Sequence, residues 1–196
     1  MMDPFDTLCD EHQLIRRVLV ALAAYAEELA DADPADLPSF VVFLTELVEV
    51  RHHAKEEGIL FEAMARAHLP GLAGTLATMK REHAEARRLA GVLSSAAMRP
   101  LAWTPEDRTL VAGAAGELVK LLREHMQKEE DILFPMARHN LKPDAIDHLR
   151  ERFEAREATS AARSERAALS AMAEILVRRY SSASEKVRRS APVALN

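Results

Sequence analysis

The chain has 196 residues, 48% of them hydrophobic but only 5% aromatic, a net charge of -5 and one cysteine, Cys9. That length suits a single domain with a sizeable core, and an apolar set rich in Ala, Leu and Val favours helix over sheet. The charge gives no electrostatic footprint for nucleic acid, a lone cysteine excludes a disulfide framework or a cysteine-rich zinc or iron–sulfur site within the chain, and no run nears the roughly 18 apolar residues of a membrane span.

The N-terminus, Met1-Met2-Asp3-Pro4, lacks the basic-then-apolar order of a secretory signal, so a cytoplasmic location is expected. From Phe5, apolar residues recur at Leu8, Ile15, Leu19, Leu22, Ala26 and Leu29, a helical seam to about Ala32 with His12 upon it. After the breaks at Asp33-Pro34 and Leu37-Pro38-Ser39, Val41, Leu44, Val48, Ile59 and Ala63 outline a second helix whose inner stripe carries His52 and Glu56. His68-Leu69-Pro70-Gly71 closes it. Leu72, Leu76, Met79, Ala86, Ala90 and Leu93 describe a third helix bearing His83. Thr104-Pro105-Glu106-Asp107 reads as an N-cap with proline at the first helical position. It opens a fourth helix through Leu118, Leu121, Leu122, Ile132 and Met136, whose stripe carries His125 and Glu129.

Four long helices with short connections predict an all-α, antiparallel up-down-up-down four-helix bundle over residues 1–140. Residues 141–196 form a C-terminal helical extension and tail. Lys142-Pro143-Asp144 starts a further helical stretch to Tyr180, docked on the bundle or on a second subunit, which makes the extension the expected homodimer contact. Residues 181–196 read as mobile.

The chain also repeats itself. His52-His53-Ala54-Lys55-Glu56-Glu57-Gly58-Ile59-Leu60-Phe61 shares seven of ten positions with His125-Met126-Gln127-Lys128-Glu129-Glu130-Asp131-Ile132-Leu133-Phe134, 73 residues later. Glu11-His12 with Arg16-Arg17 reappears as Glu82-His83 with Arg87-Arg88, 71 residues later. Two related helical hairpins would turn all four histidines towards one axis.

A single histidine on an apolar face is usually a satisfied core residue, and a single His-x-x-x-Glu is usually a solvated helix pair. Here His12, His52 with Glu56, His83, and His125 with Glu129 all fall on the four seams, while His68, His139 and His148 lie near helix ends or in the charged tail. Four imidazoles and two carboxylates suit iron, zinc or manganese, and two buried carboxylates among leucines require cations. The second helix offers another register, His53 with Glu57. Repeat alignment and the apolar stripe select His52 and Glu56, leaving His53, Glu57 and Glu130 behind the ligands or at the rim of the site, with a metal contact by His53 as the open alternative. Cys9, three residues before His12, is either a thiolate ligand or a small core residue. Arg16 and Arg87 are solvated charges or surface ion pairs near the site.

In order, a histidine in helix one, His-x-x-x-Glu with Ile-Leu-Phe in helix two, Glu-His in helix three and His-x-x-x-Glu with Ile-Leu-Phe-Pro in helix four make residues 5 to 140 resemble a hemerythrin-like (HHE cation-binding) domain. The resemblance implies a four-helix bundle holding two iron ions with an oxo or hydroxo bridge. His12, His52, Glu56, His83, His125 and Glu129 are the matching ligand positions. Met79 stands where oxygen-carrying hemerythrins have a further histidine, so the set is similar instead to the bacterial branch that includes proteins repairing damaged iron centres, although the cysteine-containing N-terminal domain of those proteins does not precede the bundle here. The expected function is binding of, or reaction with, oxygen, nitric oxide or peroxide, with weak peroxidase- or catalase-like turnover, or iron sensing. The alternatives are a metal-dependent regulatory module and a zinc-stabilised bundle without redox turnover.

Overall fold

The structure, a computed structural model, describes residues 3–29, 34–67, 72–99 and 103–190, the last ten by backbone alone. The described residues form six helices and no strand. Helix α1 spans Pro4–Glu27, where Asp3 accepts from the Phe5 amide at 2.8 Å and Pro4 occupies the first turn without sacrificing a donor. Helix α2 covers residues 37–66 and α3 spans Leu72–Ala97. Helix α4 covers residues 105–140, and Thr104 and Asp107 cap its start reciprocally, as the sequence predicts. The predicted end of the second helix, His68 to Gly71, lies outside the described residues, as do Ala30–Asp33 between α1 and α2.

Helices α2 and α4 are not uniformly α-helical. α2 widens into π-helix at Phe43–His53 and again at Glu56–Leu60, and α4 does so at Glu129–Leu133. A π turn holds one residue more than an α turn and rotates everything beyond it. The predicted stripe of the fourth helix is corrected accordingly: Ile132 is exposed, while Leu133, Phe134 and Ala137 are buried.

Helix α5, Pro143–Glu157, and helix α6, Ser160–Ser190, form the C-terminal strap. Leu169, Ala173, Leu176 and Tyr180 of α6 join the main apolar cluster with Ile15, Leu19, Leu22 and Phe40, so this face packs on the same chain's bundle. Leu149 and Phe153 of α5 join a second cluster with Phe5, Leu8, Phe61 and Phe134. The α6 backbone runs helically to Ser190, through much of the segment read as a tail; residues 191–196 lie outside the described set. Between the two apolar clusters lies one polar layer, made of buried histidines and glutamates from α1 to α4.

Candidate metal centre

Helical spacing decides what enters this layer. On α1, His12 falls between Leu8 and Ile15; on α3, His83 falls between Met79 and Ala86. On α2 and α4, His52 with Glu56 and His125 with Glu129 are four residues apart, which aligns each pair on one helix face. His12, His52, Glu56, His83, His125 and Glu129 are all buried, none more than 1% exposed.

Their donor atoms gather into two groups, each with ligand atoms lying within 4.8 Å of one another: His12, His52, Glu56 and Glu129; and His53, Glu56, His83 and His125. Both carboxylates span the layer. Glu56 places one oxygen 3.5 Å from His52 Nε2 and the other 3.5 Å from His83 Nε2. Glu129 lies 3.1 Å from His125 Nε2 through Oε1 and 3.3 Å from His12 Nε2 through Oε2.

Each imidazole is fixed from behind by a carboxylate. His12 Nδ1 donates to Glu130 at 2.8 Å, His52 Nδ1 to Glu11 at 3.0 Å, His83 Nδ1 to Glu57 at 2.7 Å and His125 Nδ1 to Glu82 at 2.8 Å. Cations hold those carboxylates in turn: Arg16 grips Glu130 with two bonds, Lys55 meets Glu11, Arg87 meets Glu57, and Lys128 meets Glu82. Such outer carboxylates set the tautomer, leaving Nε2 as a lone pair facing inward. His12 stacks on Phe134 and His83 on Phe61, which limits ring rotation.

The inward lone pairs make a site that a cation fits. Nε2 of His12 lies 3.0 Å from Nε2 of His52, and Nε2 of His83 lies 2.8 Å from Nε2 of His125. Since every Nδ1 hydrogen is already donated outward, each facing pair lacks a shared hydrogen and needs a proton or a metal ion. The four carboxylate oxygens of Glu56 and Glu129 are buried and make no hydrogen bond. Buried anionic oxygens without donors are costly, and a cation between imidazoles and carboxylates answers both deficits.

Without a cation the carboxylates share their charge unequally. Burial and the Glu129 carboxylate push Glu56 well above the usual carboxylate range, whereas at Glu129 the raising effect of burial is outweighed by His125 and His12, which hold it well below. Burial would lower His125, but the ionised Glu129 and the Glu82 bond lift it to about 9. Its counterpart His52 faces the protonatable Glu56, and burial together with the charge of His12 takes it down to about 4 despite Glu11. Burial and the neighbouring imidazoles depress His83 as well.

His53 stands in the second group, where the sequence left a metal contact as the alternative to an outer place. Its expected outer face is buried, with the ring stacked 3.8 Å from that of His83 and Nδ1 donating to Glu49 at 3.0 Å. The π-helical stretch of α2 explains it, because the wider turn lets two successive residues face inward. Glu57 and Glu130, expected behind the ligands or at the rim, are the Nδ1 partners of His83 and His12. The roles of Glu11, Glu82 and Glu49 went unread, although the repeated Glu-His pair was a signal. Met79 is buried in the second apolar cluster, and Cys9 is partly buried against that cluster, its thiol pushed up by burial and by the Glu130 charge. His139 and His148 are exposed; His68 lies outside the described residues.

No helix among the described residues is long and apolar enough to cross a membrane. No curated protein and no solved structure matches this chain. The model of the hemerythrin HHE cation-binding domain matches residues 3–137, more than half of the chain, and it does so across the four helices that bring the buried histidines and glutamates together: the chain belongs to the hemerythrin HHE cation-binding family.

Proposed function

We propose that the layer is a non-haem di-iron centre that binds or reacts with oxygen, nitric oxide or peroxide. In this reading His12 and His52 would hold one ion and His83 and His125 the other, with His53 as a further imidazole on that side, and Glu56 and Glu129 would offer carboxylate oxygens to both. The observation that carries it is the outward commitment of every Nδ1, which leaves facing Nε2 lone pairs and donorless carboxylates around two positions. The bundle is then read as up-down-up-down over residues 1–140, with residues 141–196 as its strap, and the chain as a cytoplasmic protein.

Bound iron supplies reversible one-electron chemistry and open positions for a small ligand. The protein's part is orientation and exclusion. Outer carboxylates keep each imidazole in the ligating tautomer, phenylalanines hold two of the rings, and the apolar clusters above and below keep bulk water from the layer.

Metal analysis with absorption spectroscopy tests the reading. Anaerobic loading with ferrous iron should give two ions per chain, and air oxidation should produce an oxo-to-ferric band in the near ultraviolet. One ion or none per chain would overturn it. A colourless protein retaining zinc alone would replace it with a metal-stabilised bundle lacking redox turnover.

A further inference from the structure

The two halves of the repeat are not packed alike. Ile15 and Leu19 of α1 are buried and fill their side of the bundle, but their counterparts 71 residues later are Ala86 and Ala90. Where those larger side chains are missing, a half-open pocket of about 240 Å³ lies between α2, α3 and α4, walled by Leu44, Val48, Ala86, Ala90, Leu118 and Leu122. His53 also lines this pocket, and its own counterpart in the repeat is Met126, an apolar residue buried in the main cluster. The hollow and the extra imidazole therefore occur together, on the side of the second half.

Size and charge constrain the occupant. A cavity of about 150 Å³ already accepts benzene, so this one exceeds the needs of a diatomic molecule. Its charged lining groups are Glu49 and Arg87, paired with each other at 2.6 Å, and Glu49 also accepts from His53 Nδ1. Arg87 is shared with Glu57 as well, so no free cation is left for an anionic ligand, while the Glu49 carboxylate beside His53 offers a hydrogen-bond acceptor at one end of a mostly apolar wall that also carries Thr45 and Ser94.

We propose that this pocket binds a neutral, largely apolar molecule of about benzene size with one hydroxyl-type head, seated with that head on the Glu49–His53 end. The inference rests on the di-iron reading only in placing the occupant beside a metal-holding imidazole; the pocket itself does not depend on which metal is bound.

Phenol titrated into the zinc-loaded chain is a redox-silent test, followed by calorimetry and by NMR shifts. Saturable binding of one phenol per chain is expected, with shifts concentrated at Val48, His53, Ala86 and Ala90. Ala90→Leu restores the side chain of the first half, and it should weaken phenol at least tenfold while two zinc ions per chain still bind. Benzoate, the anionic analogue, should bind at least tenfold more weakly than phenol. Should Ala90→Leu fail to fold, Ala86→Val asks the same question with a smaller side chain. No saturable binding, unchanged affinity in the filled variant, or equal affinity for benzoate would overturn the proposal. Uptake of phenol at these residues by a chain that takes no metal would support the pocket and sink the metal reading; two bound ions without phenol binding would do the reverse.

Discussion

The ammonium of Lys55 lies 5.6 Å from the centroid of the Phe153 ring, so the C-terminal strap covers this cation. Its side chain is 1% exposed, against 37% for Lys128, its counterpart in the repeat. Lys55 binds Glu11, which fixes His52, and the lysine and His52 together outweigh the raising effect of burial and hold Glu11 down to about 2. Phe153→Ala should therefore act twice. Loss of a buried phenylalanine costs about 3–5 kcal/mol, measurable by urea unfolding, and opening Lys55 to water should weaken metal held at the His52 end by about tenfold. A stability change below about 1 kcal/mol would mean that α5 is not packed as described.

His52→Ala removes one of two imidazoles at its position and should lose an ion together with most near-ultraviolet absorbance. In His53→Ala two imidazoles remain opposite, so two ions should stay bound while the spectrum shifts. Metal content and absorbance of the two variants after identical loading separate the cases. Loss of an ion in His53→Ala with retention in His52→Ala would move the ligand pair to His53 and Glu57.

Glu56→Gln keeps the shape of the side chain and removes one of two buried carboxylates that repel when no cation separates them. The metal-free variant should be at least as stable as the metal-free parent, while the loaded variant should lose metal affinity by tenfold or more. Melting with and without a chelator measures both. A variant that is less stable without metal yet binds two ions as tightly would show that Glu56 is held by protein donors and not by cations.

At the other end of the strap, Tyr180 donates to Asp36, which Arg179 also pairs. Burial and that bond to Asp36 raise the phenol above its ordinary value of 10.0. A raised folded value means that the contribution is complete below the unfolded pKa and is lost as pH climbs past it. Stability should hold to about pH 10 and fall above it, because the tyrosine of the unfolded chain ionises there while the folded phenol stays protonated against Asp36. Tyr180→Phe should cost about 1–3 kcal/mol at neutral pH and flatten the alkaline fall. Thermal melts from pH 7 to pH 11 would check both, and an equal alkaline fall in the variant would place the cause elsewhere.

What could be read in advance follows from periodicity. Six residues on four seams are buried in one layer because a 3.6-residue repeat marks the inner face of any regular helix. The burial of His53 and the exposure of Ile132 depart from that count for the same reason: π turns at Phe43–His53 and Glu129–Leu133 add a residue that no α-helical count contains. The Glu-His pairs at residues 11–12 and 82–83 were visible as a repeat, yet each glutamate serves a histidine on another helix, a pairing that only the packed bundle defines. The docking of α6 through Leu169, Ala173, Leu176 and Tyr180 was likewise open, since an amphipathic helix carries no label for its partner.

The repeat that makes the two ligand groups alike also measures how far they have drifted apart. One position has a sealed lysine behind His52; the other has a part-exposed lysine behind His125, a fifth imidazole and a hollow beside it. If both groups take metal, surroundings so different should give unequal affinities, and a chain carrying a single ion should have that ion on a preferred side. Substoichiometric loading is then a route to an ordered half-filled species, in which the empty position is chosen by the protein and not by chance.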